Sequence, residues 1–164
     1  MTTQNHKSER SCYEAVKDWL EQILKEKFVS YHLEVTAHKR FSNLLQHQID
    51  SSRDLIFAFL KEAAPDITGF VKKDSSSSKE FIVVEVKTTP LKLDDIYQAR
   101  KYAGLFDAQY ALLVSTAEIP AKITRLSKVV FPLLALPAYK QLTLVRFEEN
   151  GRRIEWFPED PFEK

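Results

Sequence analysis

The sequence has a single cysteine, Cys12, among its 164 residues. One cysteine cannot close a disulfide within the chain or supply a cysteine-rich zinc cluster, so both are excluded as sources of stability. Histidine is also scarce. The four present, His6, His32, His38 and His47, lack the spacing of metal ligands and are interpreted as surface or packing residues.

Long hydrophobic runs are missing as well. No apolar stretch approaches the roughly 20 residues that a bilayer-spanning helix needs, and residues 1–10 lack the apolar core of a signal peptide. We therefore expect no membrane partner and a cytoplasmic location. The net charge is only +1, so any nucleic-acid partner would have to be held by a local basic patch or through metal ions.

What the chain does have is typical of one globular domain. Hydrophobic residues make up 44% of it and charged residues 29%, and its length allows a substantial core. We expect a single domain over residues 1–164, with a flexible tail at residues 1–10 and no internal repeat.

Apolar periodicity in the first third predicts helices and a strand. Apolar residues recur at three- and four-residue spacing over 11–27, which predicts a helix, and Ser11 with Glu14 has the spacing of a capping box. Alternation over 28–36 predicts a strand. Residues 42–62 favour one or two helices, which would form an insertion.

Two strand-like runs, Ile67–Val71 and Glu80–Lys87, flank a serine-rich loop and predict an antiparallel hairpin. If the hairpin is centred near Ser76, Asp66 falls opposite Val86. Both faces of the second run are apolar at its start, so we expect a central strand that helices cover on both sides.

The remaining elements predict a crossover and a second hairpin. A helix from about Asp94 to Phe106 precedes the apolar run Gln109–Ser115, which suggests a right-handed parallel crossover. Asn150-Gly151 between apolar alternations indicates a C-terminal hairpin over 142–157. The predicted fold class is therefore α/β, with a mixed central sheet flanked by helices.

Two carboxylates and a lysine stand at the ends of the first hairpin's strands. An unpaired ionised carboxylate is very costly in a low-dielectric interior, and Lys87 alone does not compensate both Asp66 and Glu85. A divalent cation would, since Mg²⁺ takes one or two carboxylates plus waters and phosphate oxygens. The backbone carbonyl of Val86 is a further candidate ligand. The alternative is a solvated strand end whose ion pair contributes little.

These residues carry a family resemblance. Pro65-Asp66, a spacer of 18 residues and then Glu85-Val86-Lys87 resemble the signature of the PD-(D/E)xK nuclease superfamily, which has the restriction-endonuclease-like fold. Gln98 and Tyr102 match the QxxxY motif of its RecB-like exonuclease branch, and the N-terminal domains of type I restriction subunits show a similar run. The resemblance covers roughly Tyr13–Ser115 and implies a core of helix, three strands, helix and strand.

The resemblance also implies roles for individual residues. It places metal ligands at Asp66 and Glu85 and the catalytic lysine at Lys87. The family's first-helix glutamate, a further ligand, maps to Glu14, with Glu21 as the alternative.

The QxxxY residues would support that site from the following helix. The Gln98 amide would hold Lys87 or a phosphate-bound water, and Tyr102, one turn on, would pack or hydrogen-bond behind it. The alternative for this pair is a helix that merely packs on the sheet. The insertion at 42–62 departs from the family's pattern and would serve substrate recognition or dimerisation.

Several basic clusters are candidates for phosphate contacts, although most such clusters are solvated faces. Lys72-Lys73 is favoured if it lies on the hairpin edge near the metal. The clusters are Lys39-Arg40, Lys72-Lys73, Arg100-Lys101, and the series Lys122, Arg125 and Lys128.

The sequence thus predicts a nuclease that depends on Mg²⁺ or Mn²⁺ and hydrolyses DNA phosphodiester bonds. Water would attack phosphorus in line, with the cation on Asp66 and Glu85 activating it and Lys87 stabilising the transition state. We expect a homodimer, or a subunit that takes its specificity from a protein partner. One alternative is a catalytically silent nuclease-like domain that binds nucleic acid or protein within a restriction, repair or defence complex. The other is an unrelated Mg²⁺-binding α/β domain.

Overall fold

The computed structural model describes residues 9–38, 41–49, 64–130, 132–148 and 153–163. Within these ranges the chain forms one six-stranded sheet with helices on both faces. In chain order the elements are α1 (Glu9–Lys27), β1 (Ser30–Val35), α2 (Asn43–Gln46), β2 (Ile67–Lys72), β3 (Glu80–Lys87), α3 (Leu93–Phe106), β4 (Tyr110–Ser115), α4 (Ala121–Val129), β5 (Leu142–Phe147) and β6 (Ile154–Phe157).

Helix α1 follows from its apolar stripe. The buried residues of the stripe are Cys12, Tyr13, Val16, Leu20 and Leu24. The helix begins at Glu9, where an acid is favourable against the helix dipole, so the predicted N-cap at Ser11 is wrong. Glu9 and Arg10 are helical rather than part of the predicted tail, and residues 1–8 lie outside the described residues.

The sheet is mixed, with strand order β1-β2-β3-β4-β5-β6. Strands β3, β4 and β5 run parallel, and the remaining neighbours pair antiparallel. The predicted α/β class, with a mixed sheet flanked by helices, is confirmed. The ends of the three parallel strands lie in one row, because Lys87 pairs with Ser115 and Ser115 with Arg146. We call the edge formed by these three residues the carboxyl edge, and the opposite edge, at Glu80 and Tyr110, the amino edge.

Strand β3 is central, and its two faces alternate as predicted. Val83 joins the apolar cluster that includes α3, whereas Ile82, Val84 and Val86 join the cluster that includes α1. Because helices cover both faces, a charged side chain near the end of this strand enters a largely apolar environment.

The β2–β3 hairpin has a register one residue away from the predicted one. A centre near Ser76 would place Asp66 opposite Val86, but Ile67 pairs with Val84. The observed pairing puts both of these apolar residues in the cluster beneath α1. A slip of one residue would turn one partner of each pair to the opposite face, so packing selects the observed register.

The predicted insertion at 42–62 is described only in its first part. Ser42 caps α2, because the Leu45 amide donates to Ser42 Oγ at 3.2 Å. Residues 50–63 lie outside the described residues. None of the helices in the described ranges is long and apolar enough to cross a membrane.

Candidate active site

The candidate site lies at the carboxyl edge, where β3 ends beside the turn that leads into β2. The end of β1 holds this turn in place. The Thr36 hydroxyl donates to the Pro65 carbonyl at 2.6 Å, and the amides of Thr36 and Ala37 donate to the Asp66 carbonyl at 2.8 and 3.2 Å. The backbone of Asp66 is therefore tied to the sheet independently of its side chain.

The Asp66 side chain is directed at the end of β3. It is nearly buried, and the Val86 amide donates to Asp66 Oδ2 at 2.7 Å. Tyr13, on α1, lies close enough to the same carboxylate to lower its pKa. Burial raises the pKa of Asp66, and the Val86 amide, Lys87 and Tyr13 only partly oppose that rise.

Glu85 is buried more deeply, with 3% of its surface exposed. Gln98 Nε2 donates to Glu85 Oε2 at 3.2 Å, and Lys87 Nζ lies 3.9 Å from the same oxygen. Glu85 Oε1 has no hydrogen-bond partner among the described residues. Burial and the charge of Asp66 raise the pKa of Glu85 to about 8, which Lys87 and the main-chain amide of Asp66 only partly oppose.

The two carboxylates fit a hard divalent cation. Their raised pKa values show that two ionised groups are disfavoured together here, and a cation would remove that conflict. Glu85 Oε1 is a buried oxygen that still lacks a partner. Asp66 and Glu85 are thus the residues that would hold Mg²⁺ or Mn²⁺. Val86 contributes its amide to Asp66, and its carbonyl stays a predicted ligand.

Two lysines bring positive charge to Glu85. Lys87 shares its face of β3, and 18% of its side chain is exposed. Lys101, on α3, lowers the pKa of Glu85 through its charge and lies over the Tyr102 ring, with Nζ 4.6 Å from the ring centroid. The exposed Lys101 and the half-buried Lys87 therefore flank the carboxylate from two elements.

The QxxxY residues lie one turn apart on α3, and Gln98 bonds to Glu85, whereas the buried Tyr102 hydroxyl has no hydrogen-bond partner among the described residues. The Gln98 amide contacts Glu85 itself rather than Lys87, its predicted partner. Tyr102 is buried behind Gln98, and burial followed by the charge of Glu85 raises its pKa. The structure thus brings Asp66, Glu85, Lys87, Gln98 and Tyr102 together.

The first-helix glutamate is the predicted residue that the structure does not bring to this group. Glu14 is exposed, and Glu21 forms an ion pair within α1. In the described ranges no cluster of three or more His, Cys, Asp or Glu side chains is arranged to hold a metal. Glu9 and Tyr13, four residues apart on one face of the helix, approach Asp66 instead, and the charge of Glu9 raises the pKa of Asp66.

Tyr13 is the residue near Asp66 that apolar periodicity does not reveal. By spacing it belongs to the apolar stripe of α1, and 5% of its surface is exposed. The available signal is chemical, because a buried tyrosine hydroxyl needs a hydrogen-bond partner. A tyrosine near the end of a stripe that packs on a sheet therefore predicts a polar group nearby.

The basic pair on α3 divides between two roles. The Arg100 guanidinium donates to the carbonyls of Pro132 and Leu133 at 2.8 and 2.9 Å, so it ties α3 to the following connection. Lys101 faces the site, as described above. Of these two predicted phosphate contacts, Lys101 is therefore the one available to a ligand at Glu85.

Lys72-Lys73 was the favoured phosphate contact on condition that it lay near the metal. The structure does not meet that condition. This pair ends β2 at the amino edge, about 20 Å from Asp66 by the rise of an extended strand. Lys122, Arg125 and Lys128 are exposed on α4. Lys39-Arg40 lies outside the described residues.

No protein-family model, curated protein or solved structure matches this chain. A functional assignment therefore rests on the geometry of the site and on the motif resemblance.

Proposed function

We propose that the protein is a metal-dependent nuclease of the PD-(D/E)xK type that hydrolyses DNA phosphodiester bonds. The observation that carries this proposal is Glu85 Oε1, a buried carboxylate oxygen without a partner, beside Asp66, whose pKa burial also raises. Without a cation, the raised pKa values favour protonation of this pair, whereas a bound cation would allow both carboxylates to ionise.

Asp66 and Glu85 would hold the cation, and the protein orients both in advance. The Val86 amide sets the Asp66 side chain, and the Gln98 amide sets Glu85. When bound, a divalent cation there would polarise a phosphodiester and lower the pKa of a bound water.

Lys87 is the group suited to contact the reacting phosphate. Its side chain is 18% exposed, and its attachment to β3 two residues after Glu85 directs it to the same face. Nζ would donate hydrogen bonds to a phosphate oxygen on which negative charge increases, which stabilises the transition state.

The order of elements supports the finer fold proposal. Apart from the short α2 between β1 and β2, the described elements from α1 to β4 are a helix, three consecutively paired antiparallel strands, a helix and a parallel strand. The restriction-endonuclease-like core implied by the motif has this order. The site also lies outside the carboxyl ends of parallel strands, where ligands bind in open α/β sheets.

The test is cleavage of single- and double-stranded DNA by the purified protein with Mg²⁺, Mn²⁺ or EDTA. We expect cleavage that EDTA abolishes and that Lys87→Ala lowers by at least about 100-fold, as for loss of one transition-state contact. Lys140→Ala is the matched control, because Lys140 pairs with Asp107 at the amino edge and should leave cleavage unchanged.

Absence of metal-dependent cleavage, or full activity in Lys87→Ala, would contradict the proposal. DNA binding without cleavage would favour the silent nuclease-like subunit. Circular, linear and RNA substrates in the same assay separate internal from terminal cutting and DNA from RNA specificity. Size-exclusion chromatography with and without DNA tests the homodimer, which we propose because double-strand cleavage needs two sites.

A further inference from the structure

The turn before β2 is held on both sides of Asp66 by one residue, Thr36, which directly follows β1. The Thr36 hydroxyl donates to the Pro65 carbonyl at 2.6 Å, and the Thr36 amide donates to the Asp66 carbonyl at 2.8 Å. The first carbonyl belongs to the peptide unit that precedes the Asp66 Cα atom, and the second belongs to the unit that follows it. Both peptide units that flank Asp66 are therefore anchored to the end of β1.

We propose that Thr36 is a positioning residue that sets the direction of the Asp66 side chain and thereby the affinity of the site for a divalent cation. The inference rests on the proposed function and adds to it a residue outside the PD-(D/E)xK and QxxxY motifs. In this role Thr36 contacts neither the cation nor the reacting atoms. It acts only through the backbone of Asp66.

The backbone geometry explains why this anchor matters. The φ and ψ angles of Asp66 are the rotations between these two planar peptide units, so fixing both units fixes the direction of the Cα–Cβ bond. The Val86 amide donates to Oδ2 at 2.7 Å, which holds the outer end of the same side chain. Asp66 is thus held at its backbone from β1 and at its carboxylate from β3. Hydrogen-bonded partners of metal-binding groups typically change metal affinity or activity by about 10- to 100-fold when they are removed.

A second threonine directs the Thr36 hydroxyl. Thr68 Oγ1, on β2, lies 2.9 Å from Thr36 Oγ1, and both residues are almost completely buried. A hydroxyl has one proton and a carbonyl can only accept, so the Thr36 proton goes to Pro65 and Thr68 donates the bond between the two threonines. Hydrogen bonds that follow one another in a buried network strengthen each other. Thr68 therefore reinforces the contact between Thr36 and Pro65.

Thr143 provides the matched control. It is also a buried threonine, 3% exposed against 1% for Thr36. It lies on β5, three strands away from β2 in the sheet, which is about 14 Å at the usual strand spacing. Thr→Val at either position replaces a hydroxyl with a methyl group and keeps the shape of the side chain, but of the two only Thr36 is bonded to the turn that carries Asp66.

The experiment measures Mn²⁺ binding to wild type, Thr36→Val, Thr36→Ser and Thr143→Val by calorimetry, without DNA. We expect the dissociation constant to rise by about 10-fold in Thr36→Val and to stay within about 2-fold of wild type in Thr36→Ser, which keeps the hydroxyl, and in Thr143→Val. In the cleavage assay, Thr36→Val should need correspondingly more Mn²⁺ for half-maximal activity and show an unchanged KM for DNA.

The outcomes separate this inference from the nuclease proposal. If wild type binds no Mn²⁺ and cleaves no DNA, the proposed function fails and the role of Thr36 fails with it. If wild type binds and cleaves but Thr36→Val has the wild-type dissociation constant, only the role of Thr36 is overturned. Unfolding temperatures are recorded in EDTA, and a lower temperature with an unchanged dissociation constant also overturns it, since that result marks a purely structural hydroxyl.

Two further variants guard this test. Binding as weak in Thr36→Ser as in Thr36→Val would show that packing and not the hydroxyl matters, which overturns the role. If Thr36→Val does not fold, Thr68→Val replaces it, because that change removes the reinforcing bond and keeps the bond to Pro65. We then expect the dissociation constant to rise by about 3-fold, and a wild-type value would overturn the role.

Discussion

Strand β3 carries one glutamate at each end, and the two ends treat negative charge differently. At the amino edge, 27% of the Glu80 side chain is exposed, and Lys73 Nζ lies 4.0 Å from its carboxylate. At the carboxyl edge Glu85 is almost completely buried, and the charge of Asp66 is added to its own. Glu80 Oε2 and Glu85 Oε1 are both buried without a hydrogen-bond partner among the described residues, but Glu85 also has a second buried carboxylate, Asp66, beside it.

The amino edge also forms a cleft of about 310 Å³, which Glu80 helps to line. Lys140 Nζ donates to Asp107 Oδ1 at 2.7 Å, and Lys79 Nζ donates to Gln48 Oε1 at 2.6 Å. Both lysines are thus engaged by the protein's own oxygens. What separates Glu85 from Glu80 is therefore its deeper burial and the second carboxylate beside it.

The largest expected effect is a pH dependence of the free energy of unfolding, caused by Glu85 at the carboxyl edge and not by Glu80 at the amino edge. Burial raises the pKa of Glu85 from 4.5 to about 8 in the folded protein, so the folded state holds a proton that the unfolded chain releases. The stabilisation is fully present below about pH 4.5 and is lost as pH rises through about 8. The free energy of unfolding should fall on the order of 5 kcal/mol over that window.

Urea unfolding in EDTA at several pH values measures this dependence. Glu85→Gln should remove most of it, whereas Glu80→Gln on the same strand should retain it. A flat wild-type profile, or the same loss in both variants, would remove the distinction between the two ends.

The next effect is on activity, with the same two variants. Glu85→Gln should lower metal-dependent cleavage by about 1,000-fold, or about 4 kcal/mol of barrier, because a neutral amide replaces a charged ligand. Glu80→Gln should cleave at close to the wild-type rate. Initial rates at saturating Mg²⁺ measure both, and equal activity of the two variants would show that Glu85 holds no essential cation.

The smallest effect tests the support of Glu85 from α3. Gln98→Ala should lower cleavage by about 10-fold, because Glu85 keeps its charge but loses the amide that orients it. Gln109→Ala, which changes a glutamine lining the amino-edge cleft, is the control and should have no effect. A Gln98→Ala loss as large as that of Glu85→Gln would mean that Gln98 contacts substrate directly.

Much of the architecture could be predicted because periodicity reports burial directly. The apolar stripe of α1 and the two apolar faces of β3 led to the observed layers. The β2–β3 register could not be placed to the residue, because a serine-rich loop does not define its own centre. Side-chain packing, as between Ile67 and Val84, decides it.

The strand residues and the α3 residues of the site were predictable, and the α1 residue was not. Asp66, Glu85 and Lys87 are close in sequence to strand ends, so the hairpin alone brings them together. The residue on α1 that meets Asp66 depends on how that helix is rotated against the sheet. That rotation is a tertiary property, and it selects Tyr13 and Glu9 instead of Glu14.

The hydrogen bond from the Val86 amide to Asp66 has a consequence for how this chain can vary. The donor belongs to the backbone, so every residue type at position 86 except proline provides it. Variation there is limited by the apolar core around the side chain and leaves the Asp66 contact untouched. Among related sequences, position 86 should therefore change freely between apolar residues of similar size while Glu85 and Lys87 on either side of it stay the same.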